Sequence, residues 1–216
     1  MTPFPELLFE QRLVAILRAR TPAPLVEVAM ALVDGGVRCL EITLPSPGSL
    51  GAVRELTGKL GDEVAVGMGT VLSAAEVRQA ADAGAGFVVS PDHNPEVVAA
   101  ADELGLGSLP GAFTPTEIVA AWRGRPSAVK VFPASVLGPE FFSAVRAPLP
   151  DVPLVATGGV DLVGAASFLR HGCAAVGVGG PLLGTALDAG APGAAALEQI
   201  RERAVAFVQV CRRVSA

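Results

Sequence analysis

Lysine is scarce in this chain. Of its 16 basic residues only Lys59 and Lys130 are lysines, and the others are arginines. Charge as a whole is thin, at 17% of residues, and the net charge of −5 is modest. The arginines are scattered, so no basic patch or stripe marks a nucleic-acid partner. Cysteine is scarce too. Cys39, Cys173 and Cys211 are odd in number and lack metal-ligand spacing, which reads as three reduced, packed thiols in a cytosolic protein. Histidine is limited to His93 and His171, and no cluster of histidine, cysteine and carboxylate suggests a metal site. That argues against an enzyme that polarises its substrate with a metal. Long apolar runs are missing as well. The longest uncharged stretch, 172–187, holds five glycines and Pro181, and is too short and too broken to span a bilayer. Glu6 and Glu10 lie early, with no basic stretch before an apolar run, so no signal peptide is expected.

What is present is apolar material in short pieces. Apolar residues make up 51% of the chain, enough for a sizeable core and too much for disorder. Short apolar runs at 13–19, 39–44, 63–71, 86–91, 107–112, 128–134, 154–160 and 175–180 alternate with amphipathic stretches, several of which stop at glycine. Runs apolar throughout, each followed by a helix, predict parallel strands buried on both faces. Eight such units in 216 residues point to one (β/α)8 TIM-barrel domain spanning 1–216, with a short helix at 5–12 before the first strand. A doubly wound open sheet is the competing architecture. The last helix is expected over roughly 193–213, ending in cations that suit a helix C-terminus.

Side chains alternate across a strand, so residues two apart share a face. Ala128, Lys130 and Phe132 fall together, as do Cys39, Glu41 and Thr43, then Val14, Ile16 and Arg18, then Val66, Met68 and Thr70. If these faces point inward, Lys130, Glu41, Arg18 and Thr70 converge on one interior, with Arg18 and Thr70 at the C-terminal mouth where barrel active sites open. A buried structural ion pair is the competing reading of Lys130 and Glu41. The functional reading is that burial disfavours the charged ammonium and leaves an amine able to attack a carbonyl, with a carboxylate to move protons. Arginine does not lose its proton and cannot replace it. On the last two strands, "TGGV" (Thr157, Gly158, Gly159) and "GVGG" (Gly179, Gly180) are glycine-rich ends of the kind that cradle phosphate in barrels. His93 reads as a loop residue near the mouth, His171 as a helix end, and Trp122 as packing.

The stretches "VAILRA", "GGVRCLEITL", "GMGTVL", "VVSPDHN", "LPGAFTPTE", "VKVFPAS", "TGGV" and "VGVGG" run in order from first strand to last. Together they resemble the 2-keto-3-deoxy-6-phosphogluconate (KDPG) / 4-hydroxy-2-oxoglutarate aldolases, Schiff-base enzymes on a (β/α)8 fold. The resemblance implies that Lys130 is the Schiff-base lysine and Glu41 the general acid/base. It implies that Arg18 and Thr70 hold the pyruvyl carboxylate, that Pro91, Gly111 and Phe132 are pocket walls, and that Gly158, Gly159 and Gly179 bind phosphate. It also implies a cytoplasmic homotrimer needing no cofactor, whose partners are a 2-keto-3-deoxy sugar acid phosphate and pyruvate. Two positions depart from the pattern. Pro45 stands where some members have arginine, so carboxylate binding rests on Arg18. Gly180 stands where many members have serine, which removes a hydroxyl from the phosphate cradle. The expected reaction is KDPG cleavage. The "SPGSL" and "LGPEFF" segments keep the 6-phosphogalactonate series as the alternative, followed by 4-hydroxy-2-oxoglutarate cleavage and by a phosphate-binding barrel without activity.

Overall fold

Parallel strands each followed by a helix are what the computed structural model shows over the residues it describes, 4–188 and 192–213. The strands are β1 (Leu13–Leu17), β2 (Cys39–Thr43), β3 (Ala65–Gly69), β4 (Phe87–Val89), β5 (Gly107–Leu109), β6 (Gly111–Ala112), β7 (Val129–Val131), β8 (Leu154–Thr157) and β9 (Ala175–Val178). The helices are α1 (Phe4–Gln11), α2 (Leu25–Asp34), α3 (Ser49–Leu60), α4 (Ala74–Asp82), α5 (Pro95–Glu103) and α6 (Pro115–Trp122). They continue with α7 (Ala134–Leu137), α8 (Pro139–Arg146), α9 (Leu162–Arg170), α10 (Gly180–Leu183) and α11 (Ala194–Arg213).

All strand pairs are parallel, in the order β5-β4-β3-β2-β1-β9-β8-β7-β6. The two ends of that order are one predicted strand, 107–112, broken at Pro110. Proline has no N–H to give a ladder. The half before it pairs with β4 and the half after it with β7, while the Pro110 carbonyl accepts from Lys130 N at 2.9 Å. The ring of eight predicted strands is therefore an α/β barrel, with its seam at a proline.

Two apolar layers form. Leu40, Ile42, Val66, Met68, Val129, Val131, Val176 and their neighbours pack outward under the helices. A smaller cluster fills the barrel itself, including Val14, Cys39, Phe87, Val89, Leu109, Ala128 and Val155, and α1 closes its lower end with Phe4 and Leu8. The Phe4 and Phe87 rings stack at 3.8 Å between centroids.

One inward face differs from expectation. On β3, Val66 and Met68 point out to the helices, and the inward residues are Gly67 and Gly69. A Cβ on Gly67 would lie 2.6 Å from the Phe87 ring, and one on Gly69 would overlap the Glu41 carboxylate. The inner surface of β3 is left bare because its neighbours occupy that space.

Candidate active site

β2 and β7 stand opposite each other, with three strands between them whichever way the ring is followed when β5 and β6 are taken as one. Glu41 at the middle of β2 and Lys130 at the middle of β7 therefore face each other across the axis, above the apolar plug. Both are buried, at 2% and 6% exposure. Burial pushes the Glu41 carboxyl above its ordinary range, and the positive charges of Lys130 and Arg18 act against that shift. Yet the two side chains do not meet. Among the described residues, ion pairs within 4.0 Å are seen at Lys59–Glu55 and Arg201–Glu198 on the surface, and neither Lys130 nor Glu41 makes one. A structural ion pair would close to contact so as to offset its desolvation; this one is held apart.

Arg18 lies just past β1 and Thr70 just past β3, on either side of the strand that carries Glu41. Thr70 reaches the mouth by a route that strand alternation does not describe. Its φ of 59° is left-handed, an unfavourable conformation for a β-branched residue and one found mostly where surrounding structure holds a site in place. Arg18 Nη2 donates to Thr70 Oγ1 at 3.2 Å, so the two groups stand together. Behind them, buried Ser46 accepts from Ala19 N at 3.0 Å and shares a hydrogen bond with Thr43 Oγ1 at 2.8 Å. That tie holds the Arg18 segment against the end of β2.

On the other wall, Lys130 Nζ lies 5.2 Å from the centroid of the Phe132 ring, which is 39% exposed. Pro91 and Gly111 touch through their backbones. A side chain on Gly111 would run into the Pro91 carbonyl, and Gly111 N donates to Asp92 O at 2.9 Å. Thr157 is buried at the end of β8, directly beside Gly177 of β9. Gly158 and Gly159 follow with φ of 91° and 72°, values open to glycine and to few other residues. A Cβ on Gly158 would press within 3.0 Å of Phe132, so the glycine loop packs against the lysine strand. Gly179 follows β9 and Gly180 begins α10 at the same mouth, and nothing lies within 4 Å of where a Gly180 Cβ would be. The candidate residues thus gather in and above one barrel, Glu41 and Lys130 on facing strands and Arg18, Thr70 and the two glycine loops at the C-terminal ends of β1, β3, β8 and β9.

A family model described as KDPG and KHG aldolase matches residues 5–195. The chain belongs to that family. This aldolase is 37% identical over 205 residues to a probable 2-dehydro-3-deoxy-6-phosphogalactonate aldolase of Rhizobium meliloti, covering 94% of this chain and 92% of the relative. It is 37% identical over 167 residues to a 2-dehydro-3-deoxy-phosphogluconate aldolase of Treponema pallidum, covering 77% and 79%. A solved structure described as native KDPGal superposes with a TM-score of 0.83 at 32% identity, over 94% of this aldolase and 95% of that chain.

The other sequence readings find their places in this aldolase. Cys39, Cys173 and Cys211 are free and buried, and burial pushes the Cys39 thiol up to about 12. Lys59 is exposed and bonded to Glu55 at 2.6 Å. His171 caps α9, Trp122 packs at the end of α6, and His93 is partly buried in the loop after β4 with Nδ1 enclosed. No described helix is long and apolar enough to cross a membrane. Among the described residues no three histidine, cysteine or acidic side chains gather as a metal site would require. Sequence reasoning missed Ser46. Its signal was a serine flanked by two prolines just after the glutamate strand, a stretch read for the arginine it lacks and for the galactonate series but not for a hydrogen bond.

Proposed function

We propose that this aldolase acts through a Schiff base, cleaving a 6-phosphorylated 2-keto-3-deoxy sugar acid to pyruvate and glyceraldehyde 3-phosphate. The observation that carries the reading is the buried Lys130 and Glu41 pair, coupled in charge across the barrel but not in contact. The Lys130 amine attacks the C2 ketone, and the carbinolamine loses water to give a protonated imine. Glu41, through a water, takes the proton of the C4 hydroxyl as the C3–C4 bond breaks. The bonding electrons pass into the imine and leave a pyruvate enamine. Protonation at C3 and hydrolysis then release pyruvate and restore the amine. Arg18 and Thr70 hold the carboxylate at one end. Phe132, Pro91 and Gly111 wall the middle. Thr157, Gly158, Gly159, Gly179 and Gly180 receive the phosphate at the other end. The imine is the electron sink, so no metal or cofactor enters, and a chelator should leave the rate unchanged.

The gluconate and galactonate substrates are epimers at C4 and yield the same two products. Similarity extends over more of the chain to the relative named for the galactonate series than to the one named for the gluconate series, which supports the galactonate epimer as the better substrate. Pyruvate release from both epimers and from 4-hydroxy-2-oxoglutarate should give the highest kcat/KM with the galactonate. A higher value for the gluconate would reverse the assignment. Incubation with pyruvate and borohydride should place one adduct on Lys130 and none on Lys59, and Lys130→Arg should abolish both adduct and cleavage. An adduct on Lys59, or activity in the arginine variant, rules the mechanism out. The family resemblance supports a cytoplasmic homotrimer, which sedimentation of the purified protein would reveal as a species of three chains.

A further inference from the structure

The loops after β7, β8 and β9 lie side by side at the mouth, and the first of them carries a polar side chain with no assigned role. Ser135 N donates to Gly158 O at 3.1 Å, tying the lysine loop to the glycine loop. A Cβ on Gly159 would lie 2.5 Å from both Cβ and Oγ of Ser135. The serine side chain therefore rests on the bare backbone of Gly159, closer than any residue but glycine would permit. Ser135 is exposed, and among the described residues its Oγ has no hydrogen-bond partner. Nearby Asp161 is engaged elsewhere, accepting from Gly164 N at 2.7 Å as the cap of α9. Across the same end Gly180 presents open space where a side chain could stand.

From this geometry we infer that Ser135 is a specificity-determining residue whose hydroxyl binds the substrate phosphate, taking over the role of the side-chain hydroxyl that Gly180 cannot supply. The inference rests on the proposed phosphate end of the site. It has a consequence of its own: the segment from Lys130 on β7 to Ser135 in α7 contributes to both ends of the substrate, amine at C2 and hydroxyl at the phosphate, so recognition of the phosphate bears on the same segment that forms the imine.

The test is the ratio of kcat/KM for glyceraldehyde 3-phosphate to that for glyceraldehyde, each condensed with pyruvate. It is measured in the wild type, Ser135→Ala, Ser135→Thr, and Ser135→Ala combined with Gly180→Ser. Ser135→Ala should lower the ratio on the order of tenfold, as expected for loss of one hydrogen bond to a charged group, mainly through KM. Ser135→Thr keeps the hydroxyl and should retain most of the preference. Adding Gly180→Ser, for which there is room, should restore it in the alanine background. A wild type with no preference would overturn the phosphate end and this inference together. A wild type with a clear preference that Ser135→Ala keeps would overturn the inference alone. Thermal melts of each variant, expected to match the wild type because Ser135 is exposed, would separate binding from folding.

Discussion

Glu41 and Arg18 carry two of the proposed roles, one in proton transfer and one in holding the carboxylate. Glu41→Gln preserves shape and removes proton cycling. Turnover should fall about 10²–10⁴-fold, the usual loss when a general acid/base is removed. Near-normal turnover would take Glu41 out of the chemistry. Arg18 is exposed and rests on Thr70, and no second arginine follows β2, where Pro45 stands. Arg18→Ala should therefore raise KM for any 2-keto acid by about tenfold or more, since a charged hydrogen bond is lost without replacement. An unchanged KM would mean that the carboxylate is held elsewhere. Lys130, Glu41 and Arg18 were legible from the sequence because a polar group in an apolar strand stands out. Ser46 and Ser135 were not, because small polar residues in turns and short helices are common and only their contacts distinguish them.

Among the elements, helix starts show most directly how local chemistry positions the mouth. Thr114 caps α6 two residues after β6, with a reciprocal capping box. Its hydroxyl accepts from Glu117 N at 3.3 Å, while Glu117 accepts from Phe113 N and Thr114 N, each at 2.8 Å. Thr114→Ala should cost about 1 kcal/mol, or a few degrees in a melt of a chain this size. No change in Tm would mean that α6 is held by packing alone. The box also has a pH dependence of defined sign. The N–H groups of Phe113 and Thr114 hold the Glu117 carboxyl below its ordinary range, so its contribution is present at neutral pH and lost in acid, as pH falls through the lowered value. Elements as a class were readable from apolar runs and glycine stops. The phase of β3 was not, because a strand buried on both faces carries no polar alternation to mark its inner side. Nor was the break at Pro110, which follows from a missing N–H at the seam.

At the scale of the whole molecule, Glu41 links the site to stability. Its carboxyl is raised, so the folded state binds that proton more tightly than the unfolded state, and this term of stability declines as pH rises from the ordinary carboxylate range to the raised value. Glutamine mimics the protonated form. Melts of wild type and Glu41→Gln should therefore coincide in acid, with the variant the more stable at neutral pH. The reverse order at neutral pH would make Glu41 a structural counter-charge to Lys130. By itself the sequence determined the number of β/α units, the barrel, the family and the two buried charges, because periodicity, strand–helix alternation and an isolated lysine are local signals that survive without coordinates. Tertiary structure alone decided that Glu41 and Lys130 stand on opposite walls without touching, that Gly67 and Gly69 make room for Phe87 and Glu41, and that Ser135 rests on Gly159. The first follows from the closure of the ring and the others from the pairing of neighbouring strands, and no spacing within one strand or helix encodes either the distance across a barrel or the contact between two strands.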